Sequence, residues 1–192
     1  MQLRMHRLLE QTRMAGPGLR FCIWTQGCTR MCNGCIAKDT WSHLEGFLWE
    51  TSMLKKHIAA TPSIEGVTFL GGEPFEQAEA AADLASFAHS INLSVVTFTG
   101  FTLPVLRASD DSFVKTLLRE TDLLIDGAFE QEHFDLSRPW VGSSNQKYYF
   151  LTDRYNNNDL QGIKNQIEAR VALDGSVLLN GMGDFSQLRT LV

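Results

Sequence analysis

The sequence predicts an α/β fold built on parallel strands, and two observations lead there. Between Leu19 and Asp126, short runs rich in β-branched and aromatic residues alternate with helical stretches. That order requires crossover helices that cover a parallel sheet. The second observation is length. A complete eightfold β/α barrel takes about 250 residues, and this chain has 192. Either an open sheet or part of a barrel satisfies the pattern, and a partial, open barrel fits the length better.

The elements follow in order. LRFCIWTQ, Leu19 to Gln26, reads as a buried strand that delivers the chain to a cysteine-rich loop. Glu50 to Ala60 has helical spacing and stops at Thr61 and Pro62. Ile64 to Leu70 is a short apolar strand that runs straight into Gly71, Gly72, Glu73 and Pro74. Ala78 to Ser90 is an alanine-rich helix. LSVVTFT, Leu93 to Thr99, is a strand closed by Gly100. The helical stretch Leu103 to Glu120 is interrupted around Ser109 to Asp111, and TDLLID, Thr121 to Asp126, is a further strand. After Gly127 the pattern changes. Lys147 to Thr152 is a strand, and Tyr155 to Gln161 is a polar loop. Glu168 to Leu173 and Ser176 to Asn180 flank Asp174 and Gly175, a type I′ hairpin signal. No repeat or linker interrupts the chain, so residues 1–192 read as one domain, with a core over about 15–152 and an extension over about 153–192.

Composition excludes several functions. A net charge of -5 with no basic block argues against nucleic acid as the main partner. The N-terminal stretch carries Arg4, Arg7, Glu10 and Arg13 where a leader would need an apolar run. No apolar segment reaches the length of about 18 residues needed to span a bilayer. The expectation is a cytoplasmic protein. In that reducing compartment clustered cysteines serve as metal ligands or redox groups rather than disulfides.

Those cysteines lie in CTRMCNGC. Cys28, Cys32 and Cys35 form CxxxCxxC, in a chain with four cysteines in all. Three soft thiolates on one short loop suit a cubane iron-sulfur cluster, in which three irons are held and the fourth is open. The alternative is a zinc site completed by Cys22 or His43. Cys22, inside an apolar strand, has the setting of a small hydrophobe. A second signal is Gly71, Gly72, Glu73 and Pro74. Paired glycines let a ligand approach the backbone, and a carboxylate accepts hydrogen bonds from an ammonium group. An acid and a proline also suit the first turn of any helix. The tryptophans Trp24, Trp41 and Trp140 read as core or rim packing, and the scattered histidines suggest no second metal site.

Cysteine trio, spacer and GGEP, in that order, resemble the radical S-adenosylmethionine enzymes. AGPGLRFCIWTQGCTRMCNGC is similar to the leader of the glycyl radical enzyme activases. TDLLIDGAFEQEHFDLSRPWVGSSNQKYYFL resembles the activating proteins of anaerobic ribonucleotide reductase, including the GSSNQ run at Gly142 to Gln146. Gly34, where many radical S-adenosylmethionine proteins carry an aromatic residue, is shared with that subgroup, and the adenine contact must then come from elsewhere.

The resemblance implies a partial parallel β/α barrel of the radical S-adenosylmethionine type, with a C-terminal β-hairpin extension. It implies that Cys28, Cys32 and Cys35 hold one 4Fe-4S cluster whose open iron is chelated by S-adenosylmethionine. Gly71, Gly72 and Glu73 would bind the ammonium of that cofactor. Thr97 and Thr99, at the end of a parallel strand, would contact its ribose or carboxylate. Asp126 would be a polar pocket member or a capping aspartate, and Ser144 and Asn145 would lie near the cofactor or partner surface. Without a cysteine after Cys35, no auxiliary cysteine-ligated cluster can form. The expected partner is a glycyl radical enzyme resembling anaerobic ribonucleotide reductase, with a low-potential electron donor such as flavodoxin. Two other readings stay open: a stand-alone radical enzyme acting on a small molecule or peptide, suggested by the extension from Gly162, and a non-catalytic metal-binding module.

Overall fold

The structure is a computed structural model that describes residues 1–183. The last part of the predicted extension, 184–192, lies outside the described residues. Among the described residues, nine strands and four α-helices follow one another as β1 Gln2–Thr12, β2 Arg20–Thr25, β3 Phe47–Glu50, α1 Thr51–Ala60, β4 Gly66–Gly71, α2 Ala78–Ser90, β5 Ser94–Phe98, α3 Leu103–Arg107, α4 Ser112–Arg119, β6 Leu123–Asp126, β7 Lys147–Phe150, β8 Ile167–Val171 and β9 Val177–Gly181. Seven strands form one sheet in the order β3-β1-β2-β4-β5-β6-β7, and β8 and β9 form a separate hairpin. The large sheet is open, with β3 and β7 at its edges. No helix of the described residues is long and apolar enough to cross a membrane.

The central β2, β4, β5 and β6 are parallel, in keeping with the β/α alternation. All six residues of β2 are buried, as its apolar run requires. Helices cover one face. Phe21, Ile23, Val67, Phe69, Val95 and Leu124 pack there against Leu54 and Ile58 of α1, the alanines of α2, and Val114 and Leu117 of α4. The small side chains of α2 let it lie close to the strands. The helical stretch after Thr102 breaks at Ala108 to Asp111, where Asp111 restarts the chain by accepting a bond from the amide of Phe113 (2.7 Å).

Two features lie beyond the sequence expectations and one departs from them. The charged N-terminus is β1, antiparallel to both β2 and β3. Register shifts between Met5 and Arg7 and between Leu9 and Thr12 break its alternation, which hides a strand from a period-two search. The run 147–150 is antiparallel to β6, so the parallel set ends there. The hairpin turn is not type I′. Of its two signal residues only Gly175 has positive φ, at 84°, whereas type I′ needs two. The Gly175 amide bonds the Ala172 carbonyl (3.0 Å), which makes a longer loop through Leu173. Within the expected polar loop, Asn157–Leu160 forms a 3-10 turn with Asn156 and Asp159 as a capping box.

At the N-terminal ends of the parallel strands Arg20 is fully buried. Its guanidinium donates to Thr68 Oγ1 (3.0 Å), Ser94 Oγ (2.6 Å), Tyr155 Oη (3.2 Å) and the carbonyls of Val67 (2.6 Å) and Ser94 (3.1 Å). Every one of these acceptors is neutral. Arg20→Ala would leave several buried acceptors unpaired around a void. It is expected to lower stability by about 2–4 kcal/mol, read as a fall in urea midpoint at constant m.

Candidate functional site

The parallel strands end at Thr25, Gly71, Phe98 and Asp126, and the segments leaving these ends meet. In open α/β sheets ligands bind at this edge. The cysteine loop leaves β2. The Gly27 amide donates to the Thr40 carbonyl (2.7 Å) and the Cys28 amide to that of Trp41 (3.0 Å), so the loop is pinned where it starts and returns. Cys28 is buried, while Cys32 and Cys35 are half-buried, and all are free thiols. Burial raises the pKa of Cys28, and the amides of Arg30 and Met31, which donate to its sulfur, oppose that. Donors aimed at a sulfur stabilise thiolate, the form that binds metal.

The turn after β4 is sewn to the same loop. The Gly72 amide donates to the Thr25 carbonyl and the Glu73 amide to that of Gly27, both at 2.8 Å. Contact this close needs the paired glycines. A Cβ on Gly72 would stand 2.3 Å from the Gly27 oxygen, and one on Gly71 2.7 Å from Trp24 Cβ. Glu73 is fully buried and does not face open solvent. Its Oε1 accepts from Thr99 Oγ1 (2.9 Å) and the Phe75 amide (3.1 Å), and its Oε2 from the Gly100 amide (2.8 Å). Burial pushes its pKa up to about 7 against these hydrogen bonds.

One further link was not visible in the sequence. Glu76 Oε1 accepts from the Thr29 amide (2.8 Å) and the Thr29 hydroxyl, and Oε2 meets His43 Nε2 (2.8 Å). Burial would raise the Glu76 pKa, but the hydrogen bonds from Thr29 and His43 outweigh it and hold the carboxyl below the usual range. Glu76 therefore joins the residue after Cys28 to the far side of the loop. The spacing of acids and histidines gave no sign of it, because Thr29 and His43 converge on Glu76 only in the fold.

The remaining predicted residues divide. Thr97 lies on the helix-covered face, buried, with its hydroxyl 2.9 Å from that of Thr121. The structure does not bring it to the strand-end site, because side chains alternate along β5 and Phe98 takes the opposite face. Thr99 is at the site but engages Glu73. Asp126 accepts from the Leu103 amide (2.6 Å) at the start of α3, the capping role. Burial raises its pKa, and the Leu103 amide and Lys147 act against that. Ser144 is exposed. Asn145 Nδ2 donates to the Ala128 carbonyl (2.8 Å), and its Oδ1 is the buried side-chain polar atom that lacks a partner among the described residues. Cys22 sits in a separate apolar cluster with Leu9, Ala15 and Trp24, where burial pushes its thiol up to about 12. His43 Nε2 is engaged by Glu76.

On the face opposite the helices a cavity of about 690 Å³ opens beside the cysteine loop. Trp24, Leu70 and Phe98 form its floor, Cys35 and Ile36 one side, and Trp140 and Gln146 another. Gly34, with φ of 76°, packs against Gln131 and Phe129, so the loop after β6 occupies the space a larger residue would need. Among the described residues no three His, Cys, Asp or Glu side chains are gathered at metal-holding distance. The donor set itself, three soft thiols on one pinned loop with amides aimed at one sulfur, fits an iron-sulfur cluster with an open iron.

Comparison with known proteins agrees with that chemistry. The family model described as a 4Fe-4S single cluster domain matches residues 14–149. The anaerobic ribonucleoside-triphosphate reductase-activating protein of Pasteurella multocida is 32% identical over 146 residues, covering 71% of this chain and 90% of that protein. The protein of the same name from Vibrio cholerae is 33% identical over 145 residues, covering 71% and 91%, and that of Enterobacteria phage T4 is 28% identical over 145 residues, covering 72% and 88%. Among solved structures, QueE from Escherichia coli has a TM-score of 0.46 at 22% identity over 53% of this chain and 54% of that one, too slight a likeness to argue from.

Two outcomes are expected. Glu73 binds its proton more tightly folded than unfolded, so its contribution to stability is greatest below its ordinary value of 4.5 and falls as pH rises to about 7. The stability difference between wild type and Glu73→Gln, followed by denaturant melts, should decline across that window. Glu76→Ala should free the cysteine loop, so that reconstituted protein loses iron faster to a chelator while its far-ultraviolet circular dichroism is unchanged.

Proposed function

Because this chain belongs to the family of anaerobic ribonucleoside-triphosphate reductase-activating proteins and carries its 4Fe-4S single cluster domain, we propose that it is a radical S-adenosylmethionine enzyme that generates a glycyl radical on an anaerobic ribonucleotide reductase. The observation that carries this reading is the cysteine loop itself, which leaves a parallel strand and turns Cys35 into a cavity floored by the neighbouring strands. When bound, the reduced cluster would supply one electron to the sulfonium of S-adenosylmethionine, whose S–C5′ bond would break to give methionine and a 5′-deoxyadenosyl radical able to take a hydrogen atom from the target.

The protein's part is placement and exclusion of water. Cys28, Cys32 and Cys35 hold the cluster. Gly71 and Gly72 bring the backbone of the following turn to the cofactor's amino group, and Glu73 fixes that turn against Thr99 and Gly100. Asn145 Oδ1, buried and without a partner among the described residues, is suited to accept a hydrogen bond from the cofactor. Trp24, Leu70, Phe98 and Trp140 line the cavity with apolar surface, which keeps water from a reactive carbon radical. In this reading the open sheet is a short, laterally open partial barrel, residues 1–192 act as one unit in the cytoplasm, and flavodoxin reduces the cluster through the exposed part of the loop.

A second reading, a stand-alone enzyme for a small molecule or peptide, draws on β9, which lies outside the matched residues 14–149 yet lines the cavity.

Anaerobic reconstitution should give brown protein with about four irons per chain, and the triple Cys→Ser variant should hold none. With a reductant, the wild type should release methionine and 5′-deoxyadenosine and leave a glycyl radical signal on the reductase. Cofactor cleavage without that signal would favour the second reading, and a colourless zinc protein without cleavage would favour a binding module.

A further inference from the structure

Among the described residues, the side-chain hydrogen bonds that tie the hairpin to the sheet gather at the end of β1. Thr12 Oγ1 donates to Glu168 Oε2 (2.7 Å), Asn180 Nδ2 donates to Thr12 Oγ1 (3.0 Å), Arg170 Nε donates to Glu168 Oε1 (2.8 Å), and Arg170 also reaches the Gln11 carbonyl. This polar latch ties β8 and β9 to the end of β1. The other side of the hairpin meets the cavity, where Leu178, Leu179, Asn180, Gly181 and Met182 all contribute to the wall. Side chains alternate across a strand, so five successive residues on one wall present the edge of β9 rather than one of its faces.

The backbone of that edge has no neighbouring strand among the described residues, since β9 pairs with β8 alone. The Ala172 amide bonds the Ser176 carbonyl at one end of the hairpin, and the Met182 amide bonds the Gln166 carbonyl at the other. Alternation between these points makes Arg170–Leu178 and Glu168–Asn180 the bonded pairs. Leu179 and Gly181 therefore turn their N–H and C=O groups away from β8. Beside this edge stands Trp140, buried and held at φ of 61°, a conformation costly for a bulky residue. Asn165 enforces it by accepting from the Trp140 amide (2.6 Å) and donating to the carbonyls of Leu136 (3.0 Å) and Arg138 (2.7 Å).

We infer that the outer part of the cavity is a strand-addition site, in which an extended segment of the partner polypeptide pairs with the free edge of β9 at Leu179 and Gly181, beside Trp140. The inference rests on the activase reading and names how its partner is held. An extended peptide is the occupant because an unpaired strand edge offers alternating donors and acceptors at the spacing that peptide backbone matches, and the apolar wall of Trp140 and Leu179 receives one of its side chains.

Hydrogen exchange on the full, reconstituted chain tests this, with the anaerobic ribonucleotide reductase of the same organism as the probe. The amides of Leu179 and Gly181 should exchange freely in the chain alone and slow about tenfold or more with the reductase bound. Leu179→Pro, which removes the outward donor and no bond to β8, should weaken reductase binding about tenfold, and by more than Leu179→Ala, which loses the apolar side chain but keeps the donor. Unchanged exchange at both amides in the complex overturns the inference. Protection of both amides in the chain alone also overturns it, because the edge is then already occupied. A wild type that cleaves S-adenosylmethionine but neither binds nor activates the reductase overturns the partner assignment itself, and with it this occupant.

Discussion

The buried carboxylate of Glu73 is the interaction on which the rest of the site depends. It accepts from Thr99 and Gly100 after β5, while the amide of the same residue donates to Gly27 at the root of the cysteine loop. Three segments that leave three neighbouring strands are thus held by one residue. A carboxylate in such a place is costly to charge, which is why its pKa climbs towards neutrality, and the surrounding donors are what make the arrangement tolerable. Glu76, one turn further on, repeats the device on the loop itself, so the thiol-bearing segment is anchored both where it starts and on its far side.

Much of this was legible in the sequence, and the reasons differ by element. The buried strands and α2 were plain because their apolar runs match the period of one structure only. The break within the stretch after Thr102 was plain because Ser109 to Asp111 favours turns. β1 was not, since its charges and two register shifts remove the alternation that would have marked it. At the site, the cysteine trio and the GGEP turn were found from spacing, and they do converge. Thr97 was misplaced for a simple geometric reason: a strand-end position names a height on the sheet, whereas the face depends on parity, and Thr97 has the parity of Val95. His43 and Glu76 were beyond reach, because two loops must close before they meet.

The hairpin adds a wall to the cavity beside the cysteine loop. The family match stops at 149, short of β8 and β9. The residues that complete the cavity there, together with Asn165, which sets Trp140, lie beyond the matched stretch that holds Cys35. Loops and extensions carried on a rigid sheet are where variation is tolerated.

Arg20 and Glu73 give the two ends of the parallel sheet different responses to the surrounding solution. The guanidinium of Arg20 stays protonated, and its acceptors are all neutral hydroxyls and carbonyls, so neither acidity nor added salt has a counter-ion to remove. The opposite end holds a carboxylate that changes charge near neutrality. The Arg20 cluster is therefore a foundation whose hydrogen bonds hold no counter-ion to lose, whereas the end that bears the cysteine loop holds a buried group whose charge follows the medium.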